Sequence, residues 1–286
     1  MERQAKPLTE NQRAVSEQYF DSAAPRNRIV DELHELIRYR DLVKNLVRRN
    51  VTARYKRSVL GVLWTLLDPF FTMLIMALVF SALFAQTVPG YPVFIFAGVI
   101  IWNFFAQSST QAMVDFVYSG SLIVQVYMPK TVFAFSAIGT GLVNLGLACV
   151  PLFAIMFFLH RPVTTALMFL PIAVILASMF TLGVGLLVSA LAVFFADMIN
   201  IYSLILRLGM YLSGIFFSVE ALPDGLRHII ALIPTYQMVE MFRYPVYHGI
   251  LPPATSVLYF SGWSVAMLSA GLLVFTRLSD EYAYRV

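Results

Sequence analysis

Charge is scarce in this chain. Of its 286 residues only 13% are charged, against about 25% in an ordinary soluble domain. Meanwhile 59% are hydrophobic and the mean hydropathy is +0.75. That leaves too little polar surface to cover a globule in water, so most of the apolar surface must face lipid or neighbouring helices. Cysteine is nearly absent. The single Cys149 excludes an intrachain disulfide and a cysteine-built zinc cluster. The four histidines, His34, His160, His228 and His248, are scattered, and no metal site is expected. No Gly-x-x-x-x-Gly-Lys-Ser/Thr run occurs, so no P-loop binds nucleotide here. Gly141 and Gly146 come nearest, but Leu147 follows them inside an apolar run. His34-Glu35 begins like a zinc-protease motif, yet Arg38 stands where the second histidine belongs. Gly-x-Ser-x-Gly is missing too. The first 60 residues contain no short apolar core with a cleavage site, so the first spanning helix is expected to be its own insertion signal. No catalytic residue can be named, and an enzyme is not expected.

Long apolar runs are what the chain has. A span needs about 20 mostly apolar residues, and six runs qualify, near 62–85, 92–114, 132–159, 167–196, 199–219 and 254–276. Charge is unevenly distributed around them. Residues 1–61 hold 13 of the 20 Lys and Arg but 8 of the 16 Asp and Glu. A basic block abutting the first span places the N-terminus in the cytoplasm, fits anionic lipid better than nucleic acid, and returns the C-terminus to the same side after six crossings.

Residues 1–30 read as a flexible tail. From Asp31 the apolar Leu33, Leu36, Ile37, Val43, Leu46 and Val47 recur at helical spacing against Arg38, Arg40, Asp41, Lys44, Arg48 and Arg49. The pattern predicts an amphipathic helix over 31–58, lying on the membrane or on the protein's own cytosolic face. The rest, 59–286, reads as the six-span domain. Between the fifth and sixth runs, 220–253 is too apolar for a free loop and too broken to span. Pro223, Pro234, Pro245, Pro252 and Pro253 interrupt it, and Arg227, Glu240 and Arg243 charge it. It is expected to form a re-entrant hairpin, or else a structured cap, on the outer face.

Polar groups at membrane depth each need an account. Arg207 lies ten residues after Asp197, about 15 Å along a helix. Either it contacts an anionic substrate in a pore, or it pairs with a backbone carbonyl or reaches the inner surface. Asp68-Pro69 marks a kink near the inner end of the first span. Asn103, Gln107, Ser108, Ser109, Thr110 and Gln111 make the second span unusually polar, as a channel wall, a subunit contact or interhelical hydrogen bonding would require. Among the many aromatics, Trp64, Phe70, Trp102 and Phe105 are candidates to line a path over which sugars slide.

One block points to a family. Arg54-Tyr55-Lys56-Arg57-Ser58-Val59-Leu60-Gly61-Val62-Leu63-Trp64, followed by Leu67-Asp68-Pro69, resembles the opening signature of ABC-type polysaccharide export permeases, which move O-antigen, capsule or teichoic acid chains. Phe80-Ser81, Phe194-Phe195-Ala196-Asp197 and Leu232-Ile233-Pro234-Thr235-Tyr236 with Glu240 and Arg243 are similar to that family as well. Many relatives have Arg at the place of Ala196, Pro at that of Gly214 and Asn at that of Ile233. The resemblance implies an all-helical homodimer of six-span subunits in the bacterial cytoplasmic membrane. Two copies of a separate ATPase would bind the ATP and Mg, and the cargo would be a lipid-linked anionic glycan. It further implies a coupling helix near 115–130, with Tyr127, Met128, Pro129 and Lys130 at the ATPase contact beside Arg54, Tyr55, Lys56 and Arg57. Arg54, Lys56 and Arg57 serve equally well as anchors or as head-group ligands. The outer gate would comprise Pro223, Pro234, Tyr236, Glu240 and Arg243. Rival expectations are an ABC exporter of a drug, lipid or heme, a secondary transporter, and, more remotely, a membrane glycosyltransferase.

Overall fold

A computed structural model describes residues 28–55, 88–118, 129–161, 163–195 and 197–278, with isolated positions between 64 and 79. All regular structure among the described residues is helical. The amphipathic segment forms two helices, α1 (Arg28–Arg38) and α2 (Arg40–Tyr55). They meet at Tyr39, whose N–H still donates to Glu35 O at 2.8 Å. The single helix expected over 31–58 is thus jointed. Leu42, Val43, Leu46 and Val47 turn inward, while Asp41, Lys44, Arg48 and Arg49 stay exposed, as the apolar periodicity requires.

Four helices are long and apolar enough to cross a membrane: α3 (Tyr91–Tyr118), α4 (Val132–Phe158), α5 (Leu170–Phe194, led in by a 3-10 turn at Thr165–Phe169) and α9 (Ala254–Arg277). They match four of the six apolar runs. Most of the first run lies outside the described residues. The fifth forms α6 (Met198–Leu212), which is only 15 residues long. It stops where Gly214 takes a φ of +63°, a backbone turn that suits glycine.

Helix α3 is the hub, packing on α4, α5, α6 and α8 (Pro234–Arg243). Small residues set the closest approaches. A Cβ on Gly183 of α5 would fall 2.3 Å from the Met267 backbone of α9, and one on Gly271 of α9 would fall 2.4 Å from Gly183 O. Such small-residue seams let helices approach where the solvent is lipid.

The 220–253 segment folds as α7 (Asp224–Ala231), α8 and a π turn at Tyr244–His248, closed by Gly249 at φ +69°. Three of its prolines mark helix starts, while Pro245 lies in the π turn that follows α8 directly. Pro223 and Pro253 sit just before α7 and α9, and Pro234 opens α8, where the missing N–H costs nothing. Helix α8 is buried from Gln237 to Arg243, while α7 leaves Leu226, Ile229 and Leu232 exposed.

Candidate functional site

The two ends of α3, about 40 Å apart by its 28 residues, carry two polar centres. At the N-terminal end the centre is Arg243, 1% exposed. Its Nη1 donates to Glu240 Oε1 at 2.5 Å, one helical turn back on α8. Its Nη2 donates to Gly214 O at 3.1 Å and Ile215 O at 3.4 Å, carbonyls freed where α6 ends. The guanidinium lies 3.7 Å from the Phe94 ring centroid. It passes so close to Gly98 that a Cβ there would come within 2.8 Å of Nη2. A buried arginine is tolerated because its planar fork meets a carboxylate, two carbonyls and an aromatic face at once. Tyr91 reinforces the joint, donating to Phe216 O at 2.6 Å.

Beside this joint, Glu220, Tyr236, Glu240, Tyr244, Tyr247 and His248 line a cavity of about 200 Å³. Tyr236 touches the Gly214 turn, where a Cβ would meet its ring at 3.0 Å. Tyr247 donates to Pro89 O at 2.8 Å and lies 5.3 Å under the Arg161 guanidinium. Burial pushes the His248 ring below its ordinary pKa, with Glu240 opposing. Of the expected gate residues, Tyr236, Glu240 and Arg243 come together here, whereas Pro223 and Pro234 shape the helix starts. That Arg243 bridges to Gly214 was not readable from spacing; only the i, i+3 relation of Glu240 and Arg243 was.

At the other end of α3 lie α1 and α2. Glu32 of α1 accepts from Thr131 N and Thr131 Oγ1, both at 3.2 Å. Burial raises its carboxyl above the usual range, and the two hydrogen bonds oppose the rise. Gln111 Nε2 donates to Asp115 Oδ1 at 2.5 Å, and the same carboxylate faces Arg49 and Asn50 of α2. Pro129 is buried and Lys130 half-buried at the foot of α4. Lys56, Arg57, Tyr127 and Met128 lie outside the described residues, and Arg54 and Tyr55 are described only as the end of α2.

The expected path residues do not gather in one place. Trp102 and Phe105 are buried, their rings 5.5 Å apart, and Phe105 meets Phe180 at 5.7 Å. Trp102 reaches α6 at Gly209, where a Cβ would come within 3.0 Å. Arg207 is exposed on α6, two residues and so about 200° round from Gly209. It shares that surface with Leu204, Ile205, Leu208 and Tyr211, all more than half exposed. Trp64 is exposed, and Phe70 is half-buried against the core. The polar string of α3 divides: Ser108 and Ser109 are buried, and Ser109 donates to Phe105 O at 2.6 Å and accepts from Tyr202 of α6 at 2.7 Å, whereas Gln107 is exposed and Asn103, Thr110 and Gln111 are half-buried.

Long apolar helices around a polar-cored hub, with a basic amphipathic platform at one end and a broken helical segment at the other, mark a multi-pass membrane protein. The chain belongs to the ABC-2 type transporter family, which residues 41–247 match. It is 29% identical over 255 residues to the O-antigen export system permease protein RfbA of Myxococcus xanthus, covering 88% of this chain and 97% of that protein. It is 27% identical to RfbA of Klebsiella pneumoniae, covering 85% of this chain and 94% of the relative. The capsule polysaccharide export inner-membrane protein CtrC of Neisseria meningitidis is 27% identical, with 86% and 94% covered.

Proposed function

We propose that this chain is the transmembrane subunit of an ATP-driven exporter that moves lipid-linked polysaccharide of O-antigen or capsule type across the bacterial cytoplasmic membrane. The observation that carries this reading is the near full-length match to relatives named as export permeases for those polymers. In this reading two copies of the chain pair with two copies of a separate ATPase, which binds ATP and Mg. Both termini face the cytoplasm after six crossings. The first run and α6, continued past its break, supply the two crossings beyond α3, α4, α5 and α9. The exposed apolar face of α6 supports pairing, because it offers a second copy or lipid a surface the subunit itself leaves uncovered.

Division of labour follows from the two polar centres. The α1 and α2 platform, with Arg54, Tyr55, Lys56 and Arg57 at its end and Tyr127, Met128, Pro129 and Lys130 nearby in sequence, meets the ATPase. Segment 115–130 is the coupling element. The α7–α8 hairpin is re-entrant from the outer side, and the Arg243 joint with Glu240, Tyr236, Pro223 and Pro234 forms the gate. Arg207, exposed on α6, contacts the phosphate of the anionic lipid carrier, since a guanidinium keeps its charge at membrane depth and its fork matches phosphate oxygens. Trp102, packed on Phe105, braces α6 from behind. Trp64 and Phe70 of the first span face the glycan.

Arg207→Ala tests the carrier contact. Losing one charge-assisted contact predicts a drop of about tenfold or more in polymer export at unchanged subunit abundance. Unchanged export contradicts the phosphate contact.

A further inference from the structure

The N-terminal helices touch both flanks of the stretch between Tyr118 and Pro129. On the downstream flank stands Thr131, the residue that begins α4 and is 1% exposed. The side chain of Thr131 caps none of the N–H groups of α4. Instead both its backbone N–H and its hydroxyl donate to one oxygen of Glu32, which arrives from α1. In an ordinary capping box the carboxylate that takes the N-cap N–H comes from the same helix, three residues on. Here a different helix supplies it, and it also places negative charge at the positive end of α4. Lys130, the adjacent residue, adds an attractive charge to Glu32.

On the upstream flank stands Asp115, in the last turn of α3 and held by Gln111. The Arg49 charge and the Asn50 amide of α2 both favour its carboxylate. Helix α2 also lies tightly along α4. A Cβ on Gly139 would come within 2.8 Å of Val47 Cγ2. The two short helices therefore form a strap that reaches the end of α3 and the start of α4.

We propose that Glu32 and Asp115 are positioning residues that fasten α1 and α2 to the two flanks of the coupling segment, so that a push on that segment moves α3 and α4 together instead of displacing the segment alone. The inference rests on the reading of 115–130 as the coupling element. It assigns to α1 a task that membrane anchoring does not include: without the strap, ATP hydrolysis continues while export fails.

The test uses the full chain with its ATPase, purified as a complex and in cells making the polymer, with ATP hydrolysis and polymer export measured side by side. Glu32→Ala lowers export about tenfold while hydrolysis by the complex changes less than twofold, as expected for losing a half-buried charged acceptor of two hydrogen bonds. Glu32→Gln keeps the accepting oxygen and restores export. Thr131→Val lowers export about threefold and Thr131→Ser does not. The double variant Glu32→Ala with Thr131→Val is no worse than Glu32→Ala alone, because the two groups act through one contact. Asp115→Ala shows the same split between hydrolysis and export. Should Glu32→Ala fail to accumulate, the two Thr131 variants and Glu32→Gln carry the test. Export and hydrolysis falling in step, losses that multiply in the double variant, or normal export by Glu32→Ala would each overturn the strap. A wild-type complex without ATP-dependent export would instead remove the coupling reading itself.

Discussion

Helices α3 and α9 are both long and apolar enough to cross a bilayer, yet the chain treats them in opposite ways. Helix α3 is the less apolar, with a hydropathy of 1.5 over its best 18-residue window, and 78% of that window is buried. Helix α9 scores 1.7 and only 17% is buried; α5, the most apolar at 2.3, is 33% buried. In water the ranking would run the other way. In lipid, burying apolar surface against protein gains little, whereas a hydroxyl or amide left in hydrocarbon costs several kcal/mol. The interior therefore goes to the helix with the most polar groups to satisfy. The lipid face goes to helices that need only glycine seams to meet their neighbours. The same contrast separates the two faces of α6, where Tyr202 turns inward to Ser109 and Arg207 turns outward among leucines.

The contrast predicts graded losses of stability. The largest follows Arg243→Ala, which strands the Glu240 carboxylate, 8% exposed, and the Gly214 and Ile215 carbonyls. Removing one partner of a buried pair costs about 3–5 kcal/mol, so thermal unfolding in detergent should show a subunit barely stable or absent. Gly271→Ala comes next. Its methyl would meet the Gly183 backbone, and forcing the α5–α9 seam apart costs about 1–3 kcal/mol. That would lower the melting temperature while leaving the α3 hub intact, as limited proteolysis can show. Tyr202→Phe is the smallest. It deletes one interhelical hydrogen bond to Ser109, worth about 0.6 kcal/mol within a membrane. A loss as large as that of Arg243→Ala would place the centre of the hub at Ser109 instead of at the Gly214 joint.

Much of the architecture was legible because lipid imposes a length. The runs at 92–114, 132–159, 167–196 and 254–276 correspond to α3, α4, α5 and α9. What composition did not reveal was orientation about each helix axis. The polar string from Asn103 to Gln111 was compatible with a pore wall, a subunit contact or internal bonding. Only the position of Tyr202 on a different helix resolves Ser109 as an internal partner. The fifth run read as one continuous helix because Gly214 looks like any other glycine in an apolar stretch, whereas its positive φ marks the end of α6 after Leu212. The Glu240–Arg243 spacing hinted at a pair. The reach to carbonyls 28 and 29 residues upstream depends on tertiary packing that no local pattern encodes. Glu32 was missed for the same reason, since its partner Thr131 lies 99 residues away.

The account stands on the chain working as the membrane half of an ATP-driven polysaccharide exporter. Its most direct test is reconstitution of the chain with its ATPase in vesicles loaded on one face with the lipid-linked polymer. The account predicts that polymer appears on the opposite face only when ATP and Mg are supplied, and that omitting either protein abolishes the signal. Translocation by the chain alone without ATP, or failure to recover any ATPase with it, would contradict the account.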